Sequence, residues 1–219
     1  MLKSIMMRRV SAVAVCAILA GCGSPEPVAY TGIASSSQLR PDPDNESGRI
    51  PYRYSTQVDW RSYTKAMIDR VTVYRGTDNQ FGDMSDGDKA ALASDMEAQF
   101  VEKLSKRFQI TNAPGPNTLR IKLTLTGAAT TPLLAPATHV DIAGNLYNSV
   151  QAVRGGEGLM AGSVIYAVEI YDASSSRLLS AYITKQYPGA LNIGASLGSL
   201  AAAKTGIEKG ADALVAQLN

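Results

Sequence analysis

Alternating apolar and polar residues predict one strand clearly. From residue 118 to 126, leucine or isoleucine occupies every second position, with arginine, lysine or threonine between. A period of two places the apolar side chains on one face of a sheet. Two longer apolar runs, 163–171 and 178–187, flank the polar segment 172–176 and predict a hairpin. A short run at 68–74, rich in β-branched residues, predicts a further strand.

Two segments have the spacing of amphipathic helices. Large apolar residues recur every four positions in the first, and Ser85 followed by Asp88 is typical of a capped helix start. We therefore expect helices over residues 86–107 and 193–218. The apolar positions are Leu92, Met96, Phe100, Leu104 and Phe108 in the first, and Leu197, Leu200, Ile207, Leu214 and Leu218 in the second.

The order of these elements predicts an α+β fold. We expect a two-layer sandwich in which a sheet of about five, mainly antiparallel strands has two long helices packed on one face. The predicted order is β-α-β-β-(excursion)-β-β-α. The excursion covers residues 127–162, which are rich in alanine and glycine and show no clear period. We place a single domain at residues 52–219.

The first 21 residues have the pattern of a secretory signal. Three cations precede an apolar stretch from Val10 to Leu19, which is too short to span a hydrocarbon layer of about 30 Å. The stretch ends in Leu19-Ala20-Gly21-Cys22, which resembles the bacterial lipobox. This resemblance implies cleavage between Gly21 and Cys22 and lipidation of Cys22. Gly23 after the cysteine implies sorting to the outer membrane.

Residues 22–51 are predicted to be the lipidated cysteine and a flexible tether. The stretch contains five prolines and a run of three serines, and it has few apolar residues to bury. Within it, Tyr30–Ile33 is an apolar island that could dock on the domain. A tether of this length would hold the domain well away from the membrane.

Removal of the signal changes both the charge and the available chemistry. The whole chain has 21 Lys and Arg against 19 Asp and Glu, and the signal takes three of the cations. The mature chain is therefore close to neutral, which gives no electrostatic support for nucleic-acid binding. The chain has one histidine, and the sulfur of Cys22 would carry lipid. We expect no metal, no cofactor and no enzymatic activity.

Several short motifs together resemble a known family. They are Tyr30-Thr31-Gly32, Trp60, Tyr63, Val71-Thr72-Val73-Tyr74, the strand Thr118–Thr126 and Val168-Glu169-Ile170-Tyr171-Asp172. With the lipobox, they resemble the bacterial lipoprotein family of the domain of unknown function 3313, over nearly all of the mature chain. Arg70 stands where many relatives carry proline. The resemblance implies a surface-anchored α+β domain and supplies no catalytic residues.

Candidate ligand-contacting residues are few. His139 and Asp141 lie in the excursion, where an imidazole and a carboxylate could contact a ligand or serve as a base. A histidine with no role beyond the loop is the alternative. Glu169 lies in a predicted strand, where it either faces solvent or is buried beside a cation such as Arg177 or Lys185.

Small residues recur at four-residue steps along the predicted C-terminal helix. Glycine in a helix interior costs about 1 kcal/mol relative to alanine, so this stripe needs a reason. Two alternatives fit: close packing within the domain, or a docking face for a partner or a second copy. The stripe consists of Gly194, Gly198, Ala202, Gly206 and Gly210.

These observations predict a lipoprotein of the Gram-negative envelope, anchored to the outer membrane through Cys22. We expect its domain to lie in the periplasm, with the cell exterior as the alternative. The expected role is a non-enzymatic binding or accessory function through contacts with an envelope protein or a second copy. The alternative is a module that binds a small molecule or glycan through the 127–162 excursion.

Overall fold

The computed structural model describes residues 25–45, 47–130, 162–189 and 198–219. Over these residues the chain forms one eight-stranded sheet and two long helices, which confirms the α+β class. The strands are β1 (Arg40–Pro41), β2 (Tyr52–Ser55), β3 (Lys65–Ile68), β4 (Thr72–Val73), β5 (Gln109–Ile110), β6 (Thr118–Ala129), β7 (Ser163–Asp172) and β8 (Leu178–Gln186). The helices are α1 (Asp86–Ser105) and α2 (Ala201–Gln217), and Trp60–Ser62 forms a short 3-10 helix.

The three long strands form the antiparallel centre of the sheet. The strand order is β1-β2-β8-β7-β6-β3-β5, and β4 also pairs with β6. The neighbours from β1 to β6 are antiparallel, whereas β3 and β4 run parallel to β6, and β5 runs parallel to β3. The prediction of about five strands was too low because β1, β2 and β5 are too short to show a period, and because the single strand predicted over 68–74 is instead two strands, β3 and β4.

The start of α1 confirms the predicted cap. The backbone N–H of Asp88 donates a hydrogen bond to Ser85 Oγ at 3.1 Å, which satisfies one of the free amides of the first turn. The helix then buries Leu92, Met96 and Phe100 against the sheet. This burial follows the four-residue spacing of the sequence.

Helix α2 begins later than its spacing predicts, at Ala201. The turn before it contains Gly198, which has a φ of 114° and is exposed. Glycine adopts that conformation without the strain that other residues incur. Gly198 therefore belongs to this turn and is not part of the predicted helical stripe of small residues. Residues 190–197 lie outside the described residues.

The two helices lie side by side on one face of the sheet and run in the same direction. Asp95 of α1 lies 3.7 Å from Lys204, while Lys103, two turns further along α1, lies 3.1 Å from both Glu208 and Asp212. Beneath them the Phe100 and Tyr166 rings meet edge to face, with centroids 5.9 Å apart. We call this side of the sheet the helix face.

The opposite face of the sheet is covered by the N-terminal segment, residues 25–45. Tyr30 is fully buried, and Ile33 and Leu39 are nearly so, against a second apolar cluster that includes Ile165 and Ile183. We call this side the segment face. The domain therefore has three layers instead of the predicted two, and the folded part begins well before residue 52.

The prediction of a flexible tether is accordingly wrong for the described residues up to 51. Strand β1 pairs with β2, and the backbone N–H of Asp42 donates to the Pro51 carbonyl oxygen at 2.9 Å. The physical reason lies in β7 and β8, which are buried along almost their whole length, and β7 has apolar side chains on both alternating sets of positions. A strand with two apolar faces requires cover on both.

Candidate functional site

The small-residue stripe packs within the domain. Ala202, Gly206 and Gly210 are buried. A Cβ atom at Gly206 would lie 2.8 Å from the carbonyl oxygen of Gln186, and one at Gly210 would lie 1.7 Å from the hydroxyl oxygen of Tyr166. The glycines thus let α2 approach β7 and β8 closely. Of the two predicted alternatives, close packing within the domain is correct for these three residues and an interaction face is wrong.

Glu169 is buried on the segment face. Its Oε1 atom accepts a hydrogen bond from the backbone N–H of Ser35 at 2.6 Å. The partner is thus a backbone amide of the N-terminal segment, in place of Arg177 or Lys185. Burial, and then the charge of Glu169, raise the pKa of Tyr171 to about 12. The carboxylate therefore joins the segment to the sheet, and the alternative that it faces solvent is wrong.

Asp172 stabilises the turn that follows β7. Its Oδ1 atom accepts hydrogen bonds from Ser174 Oγ at 2.6 Å and from the Ser175 backbone N–H at 2.8 Å. Its Oδ2 atom accepts one from the Tyr63 hydroxyl at 3.0 Å. The hydrogen bond from Ser174, followed by those from Ser175, holds the pKa of Asp172 well below its usual range. Both carboxylates therefore have structural partners.

A cleft opens between α2 and the β2–β8 side of the sheet. It has a volume of about 390 Å³. Its floor is formed by Tyr166, Tyr182, Thr184 and Gln186, its helical wall by Gly210, Ala213, Ala216 and Gln217, and its rim by Ile50 and Arg53. Because Gly210, Ala213 and Ala216 of the helical wall have short side chains, a space remains between α2 and the sheet. The tyrosine rings make the floor of this space largely apolar.

The two tyrosines bring polar groups into this apolar floor. Burial raises the pKa of Tyr166 and that of Tyr182 well above the usual value for tyrosine. Both hydroxyls are protonated at neutral pH, as in any tyrosine, and each can donate a hydrogen bond. The guanidinium carbon of Arg53 lies 5.7 Å from the centroid of the Tyr182 ring, within the range of a cation–π contact.

One cation, Arg53, lines the cleft, and Arg49 and Lys209 lie next to lining residues. Arg53 Nε donates to Asp42 Oδ2 at 2.8 Å. At the other end, Arg49 Nη1 donates to Gln186 Oε1 at 2.8 Å. Partial burial, and then the nearby charge of Arg49, lower the pKa of Lys209. A cleft with an apolar floor and a cationic rim suits a molecule that is apolar at one end and anionic at the other.

The sequence model of the family DUF3313, described as "Protein of unknown function", matches residues 29–214. The chain belongs to the DUF3313 family. The match begins inside the stretch that was predicted to be a tether. Most of the N-terminal segment, from residue 29 onward, therefore lies within the region that the family model covers.

Solved structures show distant similarity to this DUF3313 chain. Two PelC dodecamers from Paraburkholderia phytofirmans are each 12% identical to it. One has a TM-score of 0.38, with 74% of this chain and 93% of that chain covered. The other has a TM-score of 0.37, with 73% and 94% covered. Protein XCC0632 from Xanthomonas campestris, assigned to DUF330, is 10% identical with a TM-score of 0.33, covering 70% of this chain and 82% of that chain. No curated protein matches the chain.

Several predicted site residues of the DUF3313 chain lie outside the described residues. They are Gly21, Cys22, His139, Asp141 and Gly194. Their roles stay predictions. Within the described ranges, no three His, Cys, Asp or Glu side chains cluster closely enough to hold a metal ion. No helix in the same ranges is long and apolar enough to cross a membrane.

Sequence reasoning missed the cleft because its walls come from distant parts of the chain. Arg53 and Gly210 meet there although they are far apart in sequence. The one available signal is on α2, where alanine occupies positions 213 and 216 next to the glycine stripe. Such small residues beside a sheet that presents large tyrosine rings indicate incomplete filling.

Proposed function

We propose that this DUF3313 protein is a lipid-anchored protein of the Gram-negative envelope that acts by binding and performs no catalysis. The lipobox-like sequence ending in Gly21 and Cys22 supports cleavage and lipidation at Cys22. Gly23 supports an outer-membrane location with the domain in the periplasm. The engagement of Glu169 and Asp172 in structural hydrogen bonds supports a non-enzymatic role.

The proposed ligand is a small acidic amphiphile, a molecule with an apolar chain and one anionic group. The observation that carries this proposal is the cleft beneath α2, whose volume of about 390 Å³ falls in the range of about 300–1,000 Å³ typical of ligand sites. The apolar chain would lie against the rings of Tyr166 and Tyr182. The anionic group would meet Arg53 at the rim and would share its guanidinium with Asp42.

We favour a ligand-binding role over the predicted role in protein contacts. The stripe that favoured a protein partner or a second copy is occupied by the sheet of the same domain. The ligand site proposed here also differs from the predicted one, because it lies under α2 and not in the 127–162 excursion. Residues 131–161 of that excursion lie outside the described residues.

Octanoate binding to the purified mature protein tests the ligand class. We expect octanoate to raise the melting temperature in a concentration-dependent way, because ligands of the native state stabilise it. Octylammonium, which has the same chain and the opposite charge, should have no such effect. Arg53→Met should weaken octanoate binding and leave binding of neutral octanol unchanged. Equal stabilisation by octanoate and octylammonium would contradict the proposed charge selectivity.

A variant that fills the cleft tests its location. Ala213→Leu adds bulk to the helical wall and should weaken octanoate binding by about tenfold or more. Ala91→Leu is the matched control, because Ala91 is an exposed alanine on α1 away from the cleft. Unchanged octanoate affinity in Ala213→Leu would place the ligand elsewhere.

Replacement of Cys22 tests the anchor separately. The wild-type protein should incorporate labelled palmitate and sediment with membranes, because stable anchoring requires more than one acyl chain. Cys22→Ser should lose both properties. A wild-type protein without label would contradict lipidation and leave the octanoate experiments unaffected.

A further inference from the structure

The N-terminal segment is fixed to the sheet from its first described residues. Pro27 is buried. The carbonyl oxygen of Glu26 accepts a hydrogen bond from Gln80 Nε2 at 2.6 Å. The carboxylate of Glu26 lies 3.3 Å from Nζ of Lys185, whose side chain is only 3% exposed. The chain therefore has no freedom to swing as a tether once it reaches these contacts.

These contacts lie at one end of the sheet. Gln80 forms a bridge with Gly127, close to the last residue of β6. Lys185 is the penultimate residue of β8. We call this the anchor end, and its surface includes a recess lined by Pro25, Gly82, Asp83, Met84 and Thr130. The opposite, turn end holds the β7–β8 turn and the loop between β5 and β6.

Only a short stretch separates the anchor end from the proposed lipid. Three residues, Cys22 to Ser24, precede Pro25 in the mature chain. Consecutive Cα atoms are about 3.8 Å apart, so the Cα atom of Cys22 lies within about 11 Å of that of Pro25. Each headgroup layer of a bilayer is about 5–8 Å thick. The domain therefore cannot stand clear of the membrane that holds the lipid.

An exposed apolar side chain lies in the same stretch of chain. Among the described residues, Val28 is the large apolar side chain that is exposed, with 38% of its surface accessible. It follows directly after the residues that fix the segment to the anchor end. An apolar side chain beside a lipid attachment point favours contact with the membrane interface.

We propose that the anchor end rests on the surface of the membrane that carries the lipid, and that the turn end is the part of the domain furthest from it. This inference rests on the lipidation of Cys22 proposed above. β6 contains 12 residues, and at about 3.3 Å per residue the turn end lies up to about 40 Å further from the bilayer.

Fluorescence quenching by lipids tests this orientation. The mature domain has no cysteine other than Cys22, so Asp83→Cys at the anchor end and Asn112→Cys at the turn end can each be labelled singly. Both positions are exposed. The lipidated full-length protein would be placed in phosphatidylethanolamine and phosphatidylcholine vesicles that contain headgroup nitroxide lipid. We expect strong loss of fluorescence at residue 83 and little change at residue 112.

A longer connection supplies the control. Inserting 20 Gly and Ser residues after Ser24 adds a flexible link with a mean span of about 25 Å, which should remove the difference between the two positions. Equal quenching at both positions in the uninserted, vesicle-bound protein would overturn the orientation. Failure of the protein to bind vesicles at all would instead overturn the lipid anchor, and with it this inference.

Discussion

The helix face and the segment face of the sheet are both closed, but by different means. On the helix face, two long helices pack closely against the sheet. Gly206 and Gly210 have no Cβ, so oxygen atoms of the sheet lie close to the helix backbone there. On the segment face, an irregular chain is held by a few directed contacts, such as the hydrogen bond from Ser35 to Glu169. The helix face therefore depends chiefly on close packing, whereas the segment face depends on hydrogen bonds together with the burial of side chains such as Tyr30.

Substitutions on the two faces should therefore destabilise different parts of the domain. Added volume on the helix face forces rearrangement of a close-packed layer and lowers the stability of the whole domain. Loss of a hydrogen bond on the segment face can release the segment while the helices stay in place, because local opening requires less free energy than global unfolding.

Gly210→Ala should give the largest effect. A Cβ at this position would lie 1.7 Å from the Tyr166 hydroxyl oxygen, and overpacking of this kind costs about 3 kcal/mol of unfolding free energy. Urea denaturation measures the loss. Adding Tyr166→Phe should restore part of it, since the clashing oxygen is then absent. Gly87→Ala in α1 is the matched control, since its Cβ would lie 3.7 Å from the nearest side-chain atom, and it should not destabilise.

Glu169→Ala should be next in size and should act on the segment. It leaves the Ser35 N–H without its acceptor, which costs about 2 kcal/mol. We expect faster tryptic cleavage after Arg49, measured by mass spectrometry, before cleavage elsewhere. Glu169→Gln keeps an acceptor oxygen and should show a smaller change. Simultaneous cleavage throughout the chain would contradict the separate release of the segment.

Tyr30→Phe should have a smaller effect that depends on pH. The Tyr30 hydroxyl donates to Gln80, so the variant should lose about 1 kcal/mol of unfolding free energy at neutral pH. Burial raises the pKa of Tyr30 to about 12 in the folded chain, from 10.0. The contribution from the neutral hydroxyl is complete below pH 10 and is lost as the pH rises from 10 to 12. Urea denaturation should therefore show the difference in unfolding free energy between variant and wild type closing as the pH rises above 10 and then reversing, because the pKa difference corresponds to more than about 1 kcal/mol.

The ion pairs between the helices should matter least. Hydrogen bonds from Lys103 to Glu208 and Asp212 join α1 and α2 at the surface. Water and salt screen such exposed pairs. Glu208→Gln should therefore shift the urea midpoint less than any variant above, and the shift should shrink in high salt. A loss as large as that of Gly210→Ala would show that the helix face does not depend chiefly on shape.

The sequence predicted the elements whose pattern is local. The alternation from Leu119 to Leu125 predicted β6, and Ser85 with Asp88 predicted the start of α1. Both signals need only neighbouring residues, because a strand period and a helix cap are properties of short stretches of chain.

The arrangement around the sheet required contacts that no local pattern records. The prolines of the N-terminal segment are typical of a tether, yet Tyr30 is buried on a strand pair formed by residues much later in the chain. The glycine spacing of α2 is the same for internal packing and for a docking face, and only the position of the sheet decides between them. The cleft at Arg53 and Gly210 likewise exists only after folding.

The segment face also constrains the order in which the protein can fold. The contact between Ser35 and Glu169 spans 134 positions, and that between Glu26 and Lys185 spans 159. The first part of the domain to be synthesised therefore finds its place only after β7 and β8 have formed near the end of the chain. Such distant contacts slow folding. Until they form, the apolar residues of β7 and β8 on this face are exposed to solvent, so this late step is the one at which the chain is most prone to aggregate.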